Sequence, residues 1–343
     1  MSDKVLITGG AGFIGHALIE QLLINTDYEI ISLDRLDYSG NLNRISNMLD
    51  NYDESTKKRL QIVHHDLKAE INRLVSNKIK DVKHVFHLAA SSHVDRAIDN
   101  PLSFVMDNVV ATCNLLDFSR SLENLESFFY FSTDEVFGPA NQNVKYKEWD
   151  RYNSTNPYSA SKAGGEELAV SFQNTYGLPV VITHCMNVFG KRQHPEKYIP
   201  NTISKILKNE KITIHSDHKN NPGSRHYIHT DDVSSAVIEI LNNQKELEKN
   251  TYDKFGAKCL KVNIASNLEL NNLEVAEVIA NKLEKKFDYE FVDVPSNRPG
   301  HDLRYALDNS TLSSIGWDAK RSNLKGIEDV VDWYLKNEEW LTY

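Results

Sequence analysis

The 343-residue sequence predicts an α/β protein: a doubly wound parallel sheet with a smaller C-terminal lobe. Three observations carry this. Short, branched apolar runs alternate with helical patterns through the first half of the chain. A glycine cluster joins the first such run to the first helical pattern. Beyond about Lys191 the alternation loosens, and Pro, Asn, His and Gly collect in loops such as Ser216–Arg225. An apolar fraction of 40% with 25% charged residues excludes a largely disordered chain.

Lys4–Thr8 reads as a strand buried on both faces. Gly9-Gly10-Ala11-Gly12-Phe13-Ile14-Gly15 follows at once, then an amphipathic helix to about Asn25 and a second buried strand, Glu29–Leu33, ending at Asp34. Further strands are expected at Gln61–His64, His84–Leu88, Ser127–Ser132 and Pro179–His184, with helices over Pro101–Ser121 and Asn156–Tyr176. Residues 1–190 read as the main α/β domain and 191–343 as mainly the smaller lobe, with some segments returning to the first domain. The charge run Lys245–Lys254 reads as a solvated loop.

The order strand, glycines, helix, strand, acid marks a dinucleotide-binding domain of the Rossmann type. Glycines at 10 and 12 permit a tight turn and close approach to a pyrophosphate, Gly15 permits close helix packing, and the helix N-terminus offers N–H groups to the phosphates. Gly9, Gly12, Phe13, Ile14 and Gly15 are therefore candidate cofactor contacts. Asp34, 19 residues beyond Gly15, is placed to bind the ribose hydroxyls of NAD and to repel a 2′-phosphate, although the neighbouring Arg35 weakens that preference.

Other classes fall away. A net charge of −9 argues against nucleic-acid binding. Cys113, Cys185 and Cys259 form neither a disulfide framework nor a zinc knuckle. No apolar run approaches eighteen residues and no signal peptide precedes the first strand, so a soluble, cytoplasmic protein without membrane association is expected. The histidine pairs His215/His218, His226/His229 and His64/His65 lack a carboxylate or cysteine at helical zinc spacing, and no metal is expected.

Tyr158-Ser159-Ala160-Ser161-Lys162 puts a phenol and an amine one helical turn apart. A nearby ammonium favours the phenolate, a base able to take a hydroxyl proton as hydride leaves the same carbon. The second cluster, Phe131-Ser132-Thr133-Asp134-Glu135-Val136-Phe137-Gly138, falls at a strand's carboxyl end, where α/β ligands bind. Two adjacent carboxyl groups divide acid and base roles if their surroundings separate their pKa values; the bland alternative is a solvated loop with an acidic helix cap.

Gly9–Gly15, His87-Leu88-Ala89-Ala90, Ser92-His93-Val94-Asp95-Arg96, Ser132–Gly138 and Tyr158–Lys162 together resemble the extended short-chain dehydrogenase/reductase family, and within it the nucleotide-sugar 4,6-dehydratases. His194–Pro200 and Arg298–Tyr305 extend the likeness over nearly the whole chain. The resemblance implies that Tyr158 removes the C4 hydroxyl proton of a nucleotide-linked hexose, while Lys162 holds the nicotinamide ribose. Ser132 and Thr133 bond the C4 oxygen, and NAD takes the C4 hydride and returns it to C6. Between those steps Glu135 removes the C5 proton and Asp134 protonates the departing C6 hydroxyl. It also implies that Asp66 and Leu67 meet the adenine, that Ala89 and Ala90 line the cofactor cleft, and that Asn187, Arg225 and Arg298 bind the substrate diphosphate. Ser91, His93, Met186, Lys197 and His301 complete the implied substrate wall, and a homodimer through the Pro101–Ser121 and Asn156–Tyr176 helices is implied as well.

Ser91 stands where the glucose enzymes usually carry a glutamate, and Met186 and Val188 flank Asn187 where polar residues are usual. These exchanges tilt the expected substrate from plain glucose towards an acetamido sugar such as UDP-N-acetylglucosamine, with C5 epimerisation left open. Two other functions compete: a nucleotide-sugar 4-epimerase, which needs no carboxyl pair at C5 and C6, and a non-catalytic dinucleotide-sensing scaffold.

Overall fold

A computed structural model describes residues 2–293 and 302–342. Its strands are β1 Lys4–Thr8, β2 Glu29–Asp34, β3 Leu60–His64, β4 Val82–His87, β5 Ser127–Thr133, β6 Val180–Cys185, β7 Asn187–Phe189, β8 Ile212–Ser216, β9 Ser224–His229, β10 Leu260–Ile264, β11 Glu269–Asn271, β12 Tyr289–Asp293 and β13 Arg304–Tyr305. Seven of them form one sheet in the order β10-β6-β5-β4-β1-β2-β3, every neighbouring pair parallel. Strand order reverses between β1 and β4, so the crevice beyond their carboxyl ends is where such a sheet takes a ligand.

All seven residues of β5 are buried, because helices cover both faces: Val5, Ile7, Phe86, Phe129 and Val181 pack on one side, Leu6, Val85, Phe128, Tyr130 and Ile182 on the other. The alternation of strand and helix over the first half of the chain is the arrangement expected from sequence. Several segments of the second half join this layer, among them the helices Gln244–Phe255 and Ser310–Ser314 through Leu247 and Leu312. β10 extends the sheet beyond β6, and the helix Thr230–Asn242 packs on the helix Phe13–Asn25. The remaining second-half elements have their own core of Ile199, Ile203, Val275, Ile279, Val330 and Tyr334, carrying the small sheets β11-β9-β13, with β7 on β9, and β12-β8.

Two local expectations are corrected. The helix expected over Pro101–Ser121 contains a π turn at Met106–Val110, and Lys245–Lys254 belongs to the helix Gln244–Phe255 rather than to a loop. Leu247 and Thr251, one turn apart, are the two buried residues of that helix; they give it an inner stripe that the charge run conceals. Among the described residues no helix is long and apolar enough to cross a membrane.

Candidate active site

The turn from β1 into the helix Phe13–Asn25 forms the floor of the cleft. Gly9 has φ +72°, and a Cβ there would stand 2.8 Å from the Ala89 nitrogen. The left-handed residue is thus Gly9, just ahead of glycines 10 and 12, where a Cβ would meet the Ser32 hydroxyl and the Gly9 carbonyl. A side chain at Gly15 would overlap the Gly9 carbonyl, so the helix can start only with glycine there. Gly9, Gly12, Asp34, Asp66, Leu67, Ala89 and Ala90 line one half of the cleft; Gly12, Phe13, Ile14, Gly15, Ala90, Ser132, Tyr158, Lys162 and Lys197 line the other.

This floor fits NAD. The carboxylate of Asp34 accepts from Ala11 N–H (3.1 Å) and Leu36 N–H (2.8 Å), which fixes it at the end of β2 although burial raises its pKa. Arg35 does not weaken the preference against a 2′-phosphate, because its guanidinium is already spent. It donates to Asp37 (2.9 and 2.6 Å) and forks onto Asp107 (2.5 and 2.8 Å). The π turn supplies that Asp107 and, next to it, Asn108, which bonds Ser91 and Ser161; π turns of this kind often fall at functional sites.

The end of β5 delivers the acid pair. Thr133 caps the short 3-10 turn Asp134–Phe137, which ends at Gly138 with φ +77°. Asp134 is buried, and burial followed by the Glu135 charge raises its carboxyl from 3.8 to about 7. Glu135 is raised by burial too, but Asn156 Nδ2 donates to it at 3.1 Å and Arg225 also favours its charge. Tyr305 donates to the same carboxylate at 3.5 Å. The pair is therefore not a solvated loop with an acidic cap. The Arg225 charge acts on both carboxyl groups, but their hydrogen-bond donors differ: Thr133 on Asp134 (3.3 Å), Asn156 and Tyr305 on Glu135.

Tyr158 and Lys162 lie on the helix Pro157–Tyr176, started by a capping box between Asn156 and Ser159. Both are buried. The expectation that the ammonium lowers the phenol's pKa is corrected. Burial and the Glu135 charge hold the Tyr158 phenol well above its usual range, against a hydrogen bond from Thr133. Burial also brings Lys162 down to about 7, with its Nζ seated 4.3 Å over the Tyr130 ring. A phenol so desolvated gives up its proton only when positive charge enters the cleft.

The substrate wall is less uniform. Ser132 Oγ is buried, has no partner among the described residues and belongs to a residue lining the cleft. Lys197 lines it as well, with its ammonium disfavoured by burial, and the His93 ring stands 3.8 Å from Glu196. Asn187, on β7, pairs in register with Tyr227. Arg225 donates to the carbonyls of Ser224 (2.8 Å), Leu303 (2.5 Å) and Asp302, and lies over the Tyr305 ring. Two residues expected in the wall face elsewhere. Ser91 Oγ donates to Asp107 (2.7 Å), on the adenosine side. Met186 packs in the main core, its sulfur accepting from Ser266 N–H. Arg298 and His301 lie outside the described residues.

Sequence reasoning missed Asn156 and Tyr305, the two donors on Glu135. Asn156 had a visible signal, since it directly precedes Pro157 at the helix start, but that signal reads only as a cap. Tyr305 arrives from 170 positions away in the chain, and no local pattern announces it. Arg96 stacks 3.6 Å over Tyr38 and pairs with Glu196 at 3.2 Å, and the Tyr38 ring meets His194 edge-on.

A glycine turn, an acid-capped second strand and a tyrosine–lysine helix over one parallel sheet define an NAD-dependent enzyme of the extended short-chain dehydrogenase/reductase class. The chain belongs to the nucleotide-sugar 4,6-dehydratases of that class: the family model GDP-mannose 4,6 dehydratase matches residues 6–330. It is 34% identical to the dTDP-glucose 4,6-dehydratase of Salmonella typhimurium over 98% of this chain and 94% of that one. It also resembles DesIV, a dTDP-glucose 4,6-dehydratase from Streptomyces venezuelae solved with NAD bound, at 32% identity and a TM-score of 0.84 over 98% of each chain. The UDP-N-acetylglucosamine 4-epimerase of Methanobrevibacter ruminantium shares the architecture at 27% identity and a TM-score of 0.79, over 98% of this chain and all of that one.

Proposed function

We propose that the protein dehydrates a nucleotide-linked hexose across C5 and C6 to the 4-keto-6-deoxy sugar, with Tyr158, Lys162, Thr133, Asp134 and Glu135 as the reacting and supporting groups. The observation that carries this reading is the carboxyl pair at the end of β5. Burial raises Asp134 to about 7 and favours its protonated form, whereas Glu135, raised by burial as well, accepts a hydrogen bond from Asn156 that favours its charged form. An acid and a base side by side are what loss of water needs and what a 4-epimerase does not.

NAD, when bound, supplies the hydride acceptor for C4 and the hydride donor for C6. Tyr158 takes the C4 hydroxyl proton, and the free Ser132 hydroxyl and Thr133 hold the C4 oxygen. Lys162, lining the same cleft, holds the nicotinamide ribose. The C4 ketone acidifies the C5 proton, which Glu135 accepts, and Asp134 gives its proton to the leaving C6 hydroxyl. Arg225 is held by three carbonyls with its guanidinium at the substrate lobe, and with Lys197 and Asn187 it faces the nucleotide diphosphate. A homodimer through the Pro101–Ser121 and Asn156–Tyr176 segments belongs to the same reading.

The tilt towards an acetamido sugar loses two of its three supports, since Ser91 and Met186 are engaged away from the cleft. The first compound to supply is therefore dTDP-glucose, the sugar named for the 34%-identical relative, beside UDP-glucose and UDP-N-acetylglucosamine. With no reductant added, loss of one water from one of the three supports dehydration and identifies the sugar. An isomer of unchanged mass from all three contradicts it and favours the epimerase. The C5 configuration of the product reports whether its proton returns to the face it left.

A further inference from the structure

Arg44, on the helix Leu42–Leu49, is 2% exposed. Its Nε donates to the carbonyl of Arg192 (2.9 Å), and its Nη1 to those of Ala11 (3.1 Å) and Ser39 (2.6 Å). Among the described residues no carboxylate pairs with it, and its Nη2 has no protein partner. Asp34, an acid whose charge it feels, already takes the N–H groups of Ala11 and Leu36. Behind Arg44 lies a second buried arginine, Arg192, whose Nε goes to Asn47 (2.7 Å) and not to an acid. The same cations act on His16, which burial and their charge bring down to about 3.

Two guanidinium groups buried without ion pairs are costly unless an anion completes the site. Arg44 lines the cleft beside Gly12, Phe13 and Ile14, and it grips Ala11, the residue inside the glycine turn. We propose that Arg44 binds the cofactor's diphosphate, adding a full positive charge to the helix N-terminus that the glycine turn already presents. Three carbonyls hold the guanidinium in place before the ligand arrives, so little side-chain entropy remains to be lost on binding. The inference rests on the NAD assignment and extends it to a residue outside the glycine motif.

The test uses the full chain freed of nucleotide and three probes titrated calorimetrically: NAD, ADP-ribose, which keeps the diphosphate, and adenosine, which lacks it. Arg44→Met is expected to weaken NAD and ADP-ribose roughly 10- to 100-fold while leaving adenosine within about twofold, and Arg44→Lys to restore part of the loss. Affinity of Arg44→Met for NAD and ADP-ribose unchanged from the parent's overturns the proposal. So does an equal loss for adenosine, which means that the loop has collapsed and no charge-specific contact was removed. If Arg44→Met does not fold, Arg44→Lys alone decides: binding ADP-ribose within about tenfold of the parent supports a counter-charge, and abolished binding with adenosine retained contradicts it. Failure of the parent chain to bind NAD or ADP-ribose overturns the cofactor assignment instead.

Discussion

Asp134 and Glu135 adjoin in sequence but differ in company, and on the proposed mechanism they take opposite roles. Glu135→Gln keeps the Asn156 contact and removes the base. It is expected to lower turnover about 10²- to 10⁴-fold and to stop proton exchange at C5, with NAD still bound, as the bound nucleotide's absorbance checks. Asp134 acts protonated, so turnover is expected to fall as pH rises through about 7, with Asp134→Asn losing that limb. The sign for stability is the same. A carboxyl whose folded pKa lies above its usual 3.8 contributes fully below about pH 4, and that contribution is lost by about pH 7. Asp134→Asn is accordingly expected to be more stable than the parent at pH 8, by up to about 4 kcal/mol, and no more stable at pH 4; denaturant midpoints at the two values check it. The positions of both acids were legible because a buried strand ends at Thr133. Their different donors were not, because Asn156 and Tyr305 reach Glu135 from two other elements.

At the scale of elements, the helix Pro157–Tyr176 is tied to the sheet from below. Glu166 is fully buried and meets His184 (3.2 Å) on β6, Lys261 (2.9 Å) on β10, and the Tyr152 hydroxyl. These contacts hold its carboxyl well below the usual range despite burial. Lys261→Met leaves that charge short of a partner and is expected to destabilise the fold by about 3–5 kcal/mol, read as a lower denaturant midpoint. The strands of the first half could be read from sequence because burial on both faces makes them continuous apolar runs. The helix Gln244–Phe255 could not, since only Leu247 and Thr251 turn inward among its charges. The π turn at Met106–Val110 was equally hidden: nothing in a helical period marks the one inserted residue that turns Asp107 to Arg35 and Asn108 to Ser91.

Across the whole molecule, the cleft is made by parts distant in the chain: the glycine turn, the end of β5, the catalytic helix and a second-half lobe that brings Lys197, Arg225 and Tyr305 over it. Apolar side chains also stand outward on the segment before the π turn and at its start, with Leu102 68% and Val105 42% exposed and Met106 beside them. A second copy of the chain covers such a surface in the proposed homodimer, so light scattering is expected to return twice 39.1 kDa. A Leu102→Glu chain is expected to shift towards the single mass; a single mass for the parent contradicts the dimer. The loosening of the strand–helix rhythm after Lys191 was visible in sequence. The return of β10 to the main sheet left only a short apolar run as its trace.

The central claim is that Glu135 and Asp134 remove water across C5 and C6. The measurement that tests it most directly is the reaction in heavy water with the nucleotide sugar the protein accepts and no reductant, followed by mass and proton resonance of the product. The account predicts one water lost and one solvent deuterium at C5, both absent with Glu135→Gln. A product of unchanged mass, or water loss with protium retained at C5, contradicts it.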